Sequence, residues 1–198
     1  MITTMMKLIT LVFTAAVAEN AIFGRALVTR KMLFPTDRRE VLLFSGIITA
    51  LVTATGILSY FVDIFLLYPR GYGITIRSAA YIVLLVVAHT LLSLLAAKQA
   101  GPGYGMIKNV VLMAGYNVAV LGTVLICSVN RYGLPERIAY FIGTGIGVTM
   151  ALVLIRVGND NMTMSRVPRV FRGLPISLIY IGILSLAIYG LVGHQLAF

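Results

Sequence analysis

Six apolar stretches dominate the pattern of hydrophobic and polar positions along the chain, and short polar loops separate them. They cover approximately residues 8–27, 41–68, 78–97, 109–128, 138–155 and 174–196. A helix that crosses a bilayer needs roughly 20 apolar residues. The pattern therefore predicts an all-α membrane protein with six transmembrane helices in a single integral membrane domain, residues 1–198.

Composition and charge support this prediction and narrow the choice of partners. Of the 198 residues 60% are hydrophobic and only 11% are charged, whereas about 25% are charged in soluble domains. The formal net charge is +10, but the basic residues lie between apolar stretches. This placement indicates membrane lipids with anionic headgroups as partners, and not nucleic acid.

The basic residues also predict an orientation. Eleven of the 16 Lys and Arg residues lie in the loops after the first, third and fifth stretches, and five lie on the opposite side. Because cytoplasmic loops are enriched in Lys and Arg, the odd-numbered loops are predicted to be cytoplasmic. Both termini of this multi-pass protein would then lie outside the plasma membrane of a bacterium or archaeon.

The N-terminal stretch allows a second interpretation. Residues 6–18, MKLITLVFTAAVA, combine one Lys, a short apolar core and small residues before Glu19. This pattern resembles a secretory signal with a cleavage site. A single Lys makes a thin basic region, and the internal repeat requires this segment, so the transmembrane interpretation is preferred.

The two halves of the chain share spaced features. Asn20 and Asn117 are 97 residues apart, and Arg77 and Arg172 each precede an apolar stretch. Two rows of small residues, 97 residues apart, have the four-residue spacing that allows close helix packing: Gly46, Ala50 and Ala54, and Gly143, Gly147 and Ala151. We expect two inverted three-helix repeats, residues 1–97 and 98–198, with helices 1 and 4 broken near residues 19–24 and 116–122.

Polar residues in the first and fourth stretches form the candidate site. Glu19, Asn20 and Asn117 are predicted to lie at the midplane, where their side chains can satisfy backbone groups freed by the breaks. A carboxylate there indicates an ion path or a fixed partner, for which Arg25 is a candidate. The alternative is a simple hydrogen bond between the two Asn side chains.

The remaining polar residues carry weaker signals. Asp63 and His89 stand alone in apolar stretches and are interpreted as packing or interface residues. Cys127 is the single cysteine, so it makes no disulfide within the chain and no metal cage. The sequence contains no recognisable catalytic arrangement, and we predict no catalytic residue and no metal ligand.

Several segments resemble the six-span subunits of the Rnf and Nqr electron-transport complexes, most closely the Rnf A and Nqr E subunits. They are Glu19–Asn20, FVDIFLLYPRGYGITIRSAAYI at 61–82, YNVAVLG at 116–122 and VPRVFRGLPISLIYIGILSLAIYGLVG at 167–193. The resemblance covers nearly the whole chain. It implies inverted three-helix units, a sister six-span subunit of opposite topology, and membership of a complex that couples electron transfer to Na⁺ or H⁺ movement.

The resemblance also implies a cofactor that this chain does not match. In the family, a cysteine follows the first Asn and another directly follows the Asn of the fourth span. With a pair from the sister subunit, they hold a two-iron two-sulfur cluster. Arg30 and Val118 occupy these positions here, so no cluster is expected in this chain.

Two functions therefore stay open at this point. The first is a non-catalytic membrane subunit of an Rnf/Nqr-type ion-translocating oxidoreductase, a translocase, without its own iron–sulfur cluster. The alternative is a stand-alone transporter or binding protein that uses the inverted-repeat fold without a redox role.

Overall fold

The computed structural model describes residues 2–27, 38–99, 104–115, 117–164 and 167–192. Within these ranges the protein is all-helical and has no β-strand. The helices are α1 (Ile2–Phe13), α2 (Arg38–Val62), α3 (Ile74–Gln99), α4 (Tyr104–Gly115), α5 (Val118–Val129), α6 (Leu134–Met164) and α7 (Leu174–Val192). A π-helical segment, Thr14–Ala18, continues α1, and another, Asp63–Leu67, continues α2. A 3₁₀ turn, Arg169–Phe171, precedes α7.

Four of the described helical segments are long and apolar enough to cross a membrane: Arg39–Leu67, Ile74–Lys98, Leu134–Met162 and Leu174–Val192. Two shorter apolar helical segments, Thr3–Ala18 and Val118–Val129, overlap the first and fourth predicted stretches. At 1.5 Å per residue they are about 24 Å and about 18 Å long, short of the roughly 30 Å hydrocarbon core. The chain is a multi-pass membrane protein in which two of the predicted stretches are not single long helices.

The described backbone departs from helix near both places where breaks are expected. The first helical segment ends at Ala18, and the following backbone folds into a turn in which Gly24 N donates to Asn20 O at 2.8 Å. In the fourth stretch, α4 ends at Gly115 and α5 begins at Val118. Arg30 and Tyr116 lie outside the described residues.

The two long helices α2 and α6 pack against each other at the centre. The first helix and its π-helical segment pack on α6 and α7, whereas α4 and α5 pack on α2 and α3. Ile48 and Leu51 of α2 and Phe141 and Val148 of α6 are fully buried in the resulting core. By contrast, α3 and α7 are mostly exposed along their apolar length, as expected for helices that face lipid or another subunit.

The two rows of small residues have different surroundings. A Cβ atom on Gly143 would clash with the Val12 carbonyl oxygen. A Cβ atom on Gly147 would lie 2.7 Å from the Ala16 carbonyl oxygen. The first row, Gly46, Ala50 and Ala54, is exposed on α2. Among the described residues, no atom lies within 4 Å of a Cβ built on Gly46. The second row lets α1 approach α6 closely, and the packing role of the first row stays a prediction.

Candidate functional site

Asn20 organises the first break. Its side chain is fully buried. The amide Nδ2 donates to the carbonyl oxygens of Ala16 at 2.8 Å and Gly147 at 2.9 Å, and Oδ1 accepts from the backbone N–H groups of Ile22 and Phe23. One amide thus satisfies four backbone groups where no lipid can. Because these bonds go to backbone atoms, the structure does not support the simple pairing of Asn20 with Asn117.

Glu19 lies beside this amide and has the partner that the sequence suggested. Its carboxylate forms an ion pair with Arg25, with Nη2 3.2 Å from Oε1. It also accepts a hydrogen bond from the Tyr140 hydroxyl on α6. The Glu19 side chain is 33% exposed and that of Arg25 is 41% exposed. The carboxylate is therefore half-buried and reachable from outside the chain.

Asn117 occupies the second break in a related way. It is buried, and its Oδ1 accepts from Ala119 N at 2.9 Å, so that it caps the N-terminus of α5. The His89 ring from α3 packs against Gly115 at the end of α4, where it leaves no room for a Cβ atom. A Cβ atom on Gly122 would lie 2.7 Å from Leu27 Cδ1, so α5 contacts the segment that follows the first break.

The described residues at this site do not fit a two-iron cluster. The Val118 side chain has no atom that can bind iron, and this residue is 56% exposed at the start of α5. Cys127 is free and buried, and nine residues of helix place it about 14 Å further along the axis. Within the described ranges, no group of three His, Cys, Asp or Glu residues could hold a metal ion. Arg30 lies outside those ranges.

A second polar cluster escaped the sequence analysis. Asp63, which directly follows α2, and Arg137, in the first turn of α6, form a salt bridge in which Arg137 Nη2 is 2.6 Å from Asp63 Oδ2. Both side chains are almost completely buried. The predicted topology contained a usable signal, because in it the second stretch ends and the fifth begins at the same face of the membrane.

Neighbouring side-chain and backbone groups form further hydrogen bonds to this ion pair. Arg137 donates to Ser59 Oγ at 3.1 Å and to the Tyr132 carbonyl oxygen at 3.0 Å. The Tyr81 hydroxyl donates to Asp63 Oδ1 and lies close to Ser128 Oγ. Buried charges are tolerated when they are paired and hydrogen-bonded, and this cluster meets both conditions.

Tyr132 connects the two clusters. Its carbonyl oxygen contacts Arg137, and its ring centroid lies 5.9 Å from that of Tyr140, the residue bonded to Glu19. Burial, followed by the negative charge of Glu19, raises the pKa of the Tyr132 phenol. Polar groups therefore extend from the Asp63 cluster at one end of α6 towards the first helix break.

The fold and the site define a class: a multi-pass helical membrane protein with interrupted helices and buried polar groups at the interruptions. No protein-family model matches the chain. Curated relatives do match, and all three of the following are A subunits of ion-translocating oxidoreductase complexes.

The relatives cover most of the chain. The A subunit of the Na⁺-translocating ferredoxin:NAD⁺ oxidoreductase complex of Acetobacterium woodii is 26% identical over 192 residues, which is 96% of this chain and 100% of the relative. The A subunit of the ion-translocating oxidoreductase complex of Azoarcus sp. is 29% identical over 73% of this chain and 75% of the relative. The A subunit of the ion-translocating oxidoreductase complex of Glaesserella parasuis is 26% identical over 96% of this chain and 98% of the relative. These matches confirm the resemblance to the Rnf A and Nqr E subunits.

Proposed function

We propose that this chain is a non-catalytic membrane subunit of an Rnf-type complex that couples electron transfer to Na⁺ or H⁺ transport. The proposal is carried by the similarity to A subunits of such complexes along nearly the whole chain. Because Val118 has no thiolate to bind iron, we also propose that the chain works without its own iron–sulfur cluster. Electrons would then pass through other subunits.

The proposed architecture is a pair of inverted three-helix repeats, residues 1–97 and 98–198, with six membrane crossings and both termini outside. The packing supports it, because each broken helix lies on the long helices of the other half.

The proposed ion path uses Glu19, with Asn20 and Asn117 holding the two breaks open around it. The half-buried Glu19 carboxylate is the group among these three that carries charge, and Arg25 is its resident counter-ion. Glu19→Gln should reduce ion transport by the assembled complex while leaving its assembly intact. Arg70→Gln, on an exposed loop residue, is the control for removal of an ionisable side chain. Unchanged transport in Glu19→Gln would remove this carboxylate from the path.

The proposed partners are a sister six-span subunit of opposite topology and the redox subunits of the complex. The exposed row of Gly46, Ala50 and Ala54 on α2 has the small side chains that close helix packing needs. Affinity purification of the tagged full-length chain from its own membranes in mild detergent tests the proposal. Flavin-bearing and iron–sulfur subunits should purify with it in fixed ratio. Recovery of the chain alone, with transport activity retained, would instead favour a stand-alone transporter or binding protein.

A further inference from the structure

A groove on the outer surface joins the beginning of α2 to the last turns of α6. It has a volume of about 300 Å³ and is lined by Val41, Leu42, Val153, Arg156, Val157 and Asp160. Four of these six side chains are aliphatic. Leu42, Val153 and Val157 are also substantially exposed to the surroundings of the helix bundle. This groove, which we call the Arg156 groove, therefore has a mostly apolar lining that contains one cationic side chain.

Arg156 is the unusual member of the groove. Its guanidinium Nη1 is buried and has no hydrogen-bond partner among the residues that the structure describes. A buried charged donor that lacks an acceptor is more costly than a buried neutral one. Its ion pair does not remove the deficit, because Nε is 3.7 Å from Asp160 Oδ2 and the Asp160 side chain is 66% exposed. That separation exceeds a hydrogen bond, and exposed pairs of this kind contribute little.

The depth of the groove indicates what supplies the missing acceptor. Arg156 directly follows the fifth apolar stretch, residues 138–155, and Val41 begins the second, residues 41–68. The sequence pattern therefore predicts that both positions lie near the boundary between hydrocarbon and headgroups, on the same face of the membrane. The charge pattern predicts that this face is cytoplasmic, and basic side chains near it attract anionic lipids. A phospholipid phosphate at this depth has its acyl chains beside the aliphatic lining.

We propose that the Arg156 groove is a binding site for an anionic phospholipid, whose phosphate accepts hydrogen bonds from Arg156 and whose acyl chain lies against Val153 and Val157. Arginine suits this role because its planar guanidinium binds phosphate through two parallel N–H groups. The site is separate from the helix breaks and does not depend on the electron-transport role.

The test uses the full-length chain reconstituted into vesicles of equal phosphatidylglycerol and phosphatidylcholine, then extracted gently and analysed by native mass spectrometry. Arg156→Gln should lower the ratio of bound phosphatidylglycerol to phosphatidylcholine about ten-fold, because the phosphate in the groove loses its charge-assisted hydrogen bonds. Arg169→Gln, on an exposed residue of the 3₁₀ turn, is the matched control and should leave the ratio unchanged. Arg156→Lys should keep part of the preference.

Two further measurements distinguish binding of a lipid from binding of a soluble anion. Val157→Trp keeps the cation but fills the groove, and it should also lower the bound phosphatidylglycerol. Added inorganic phosphate should not displace the lipid. An unchanged ratio in Arg156→Gln overturns the proposal. Displacement by inorganic phosphate, with no effect of Val157→Trp, also overturns it and identifies a free-anion site. Because Arg156 makes no short hydrogen bond through Nη1, Arg156→Gln is expected to fold. If it does not, Arg156→Lys and Val157→Trp still decide the question.

Discussion

Removing Arg137 should destabilise the protein far more than removing any exposed arginine. In Arg137→Met the Asp63 carboxylate loses its counter-ion in a site where both side chains are almost completely buried. Breaking a buried ion pair from one side costs about 3–5 kcal/mol, because the remaining charge is left uncompensated. Arg137 also donates to Ser59 and to the Tyr132 carbonyl oxygen, which places the expected loss in the upper part of that range.

The measurement is thermal unfolding of the purified full-length chain in detergent micelles. Each kcal/mol shifts Tm by roughly 2–4 °C in a chain of this size, so a loss of about 4–5 kcal/mol should lower the midpoint by about 8–20 °C. Arg77→Met is the matched control, since the partly exposed Arg77 makes the same Nε contact to a carbonyl oxygen but forms no ion pair with a buried carboxylate among the described residues. We expect its midpoint to change by less than about 3 °C.

A double variant tests the physical reason. Asp63→Asn combined with Arg137→Met removes both charges, so the double variant should recover most of the stability lost in the single one. The substituted amide can still pair with the Tyr81 hydroxyl in this background. If Arg137→Met lowers Tm no more than Arg77→Met does, the buried pair does not stabilise the fold. If the double variant is as unstable as the sum of the two single variants, the loss comes from packing and not from charge.

Three further predictions concern the helix breaks. Gly147→Ala should destabilise the protein by about 1–3 kcal/mol, because the new Cβ would meet the Ala16 carbonyl oxygen, whereas Gly46→Ala should cost nothing; equal effects in the same unfolding assay would refute the close contact. Asn117→Ala should cost about 1 kcal/mol through the lost cap and Asn117→Ser much less, and no difference between them would mean that the cap is unimportant. Anaerobically purified protein should contain no stoichiometric iron, with Cys127→Ser assembling normally; iron lost in that variant would contradict the assignment of the cluster positions.

The sequence alone was enough for the class of protein and for the two places where the described backbone departs from helix. Hydrophobic runs separated by basic loops indicate membrane helices directly, because a helix that crosses the bilayer must be long and apolar. Asn20 and Asn117 marked the interruptions, since a polar amide in an apolar stretch needs backbone groups to bond to. The family resemblance also rested on local motifs, and the curated relatives agree with it.

Tertiary structure decided which polar groups meet. Asp63 and Arg137 are 74 positions apart, and each alone was interpreted as an interface or loop residue, although together they form a buried pair. The two rows of small residues look equivalent in sequence, yet one contacts α1 and the other is exposed. Periodicity identifies the face of a helix but not what lies opposite that face. Partners and burial depend on how distant helices pack, and local sequence does not encode that arrangement residue by residue.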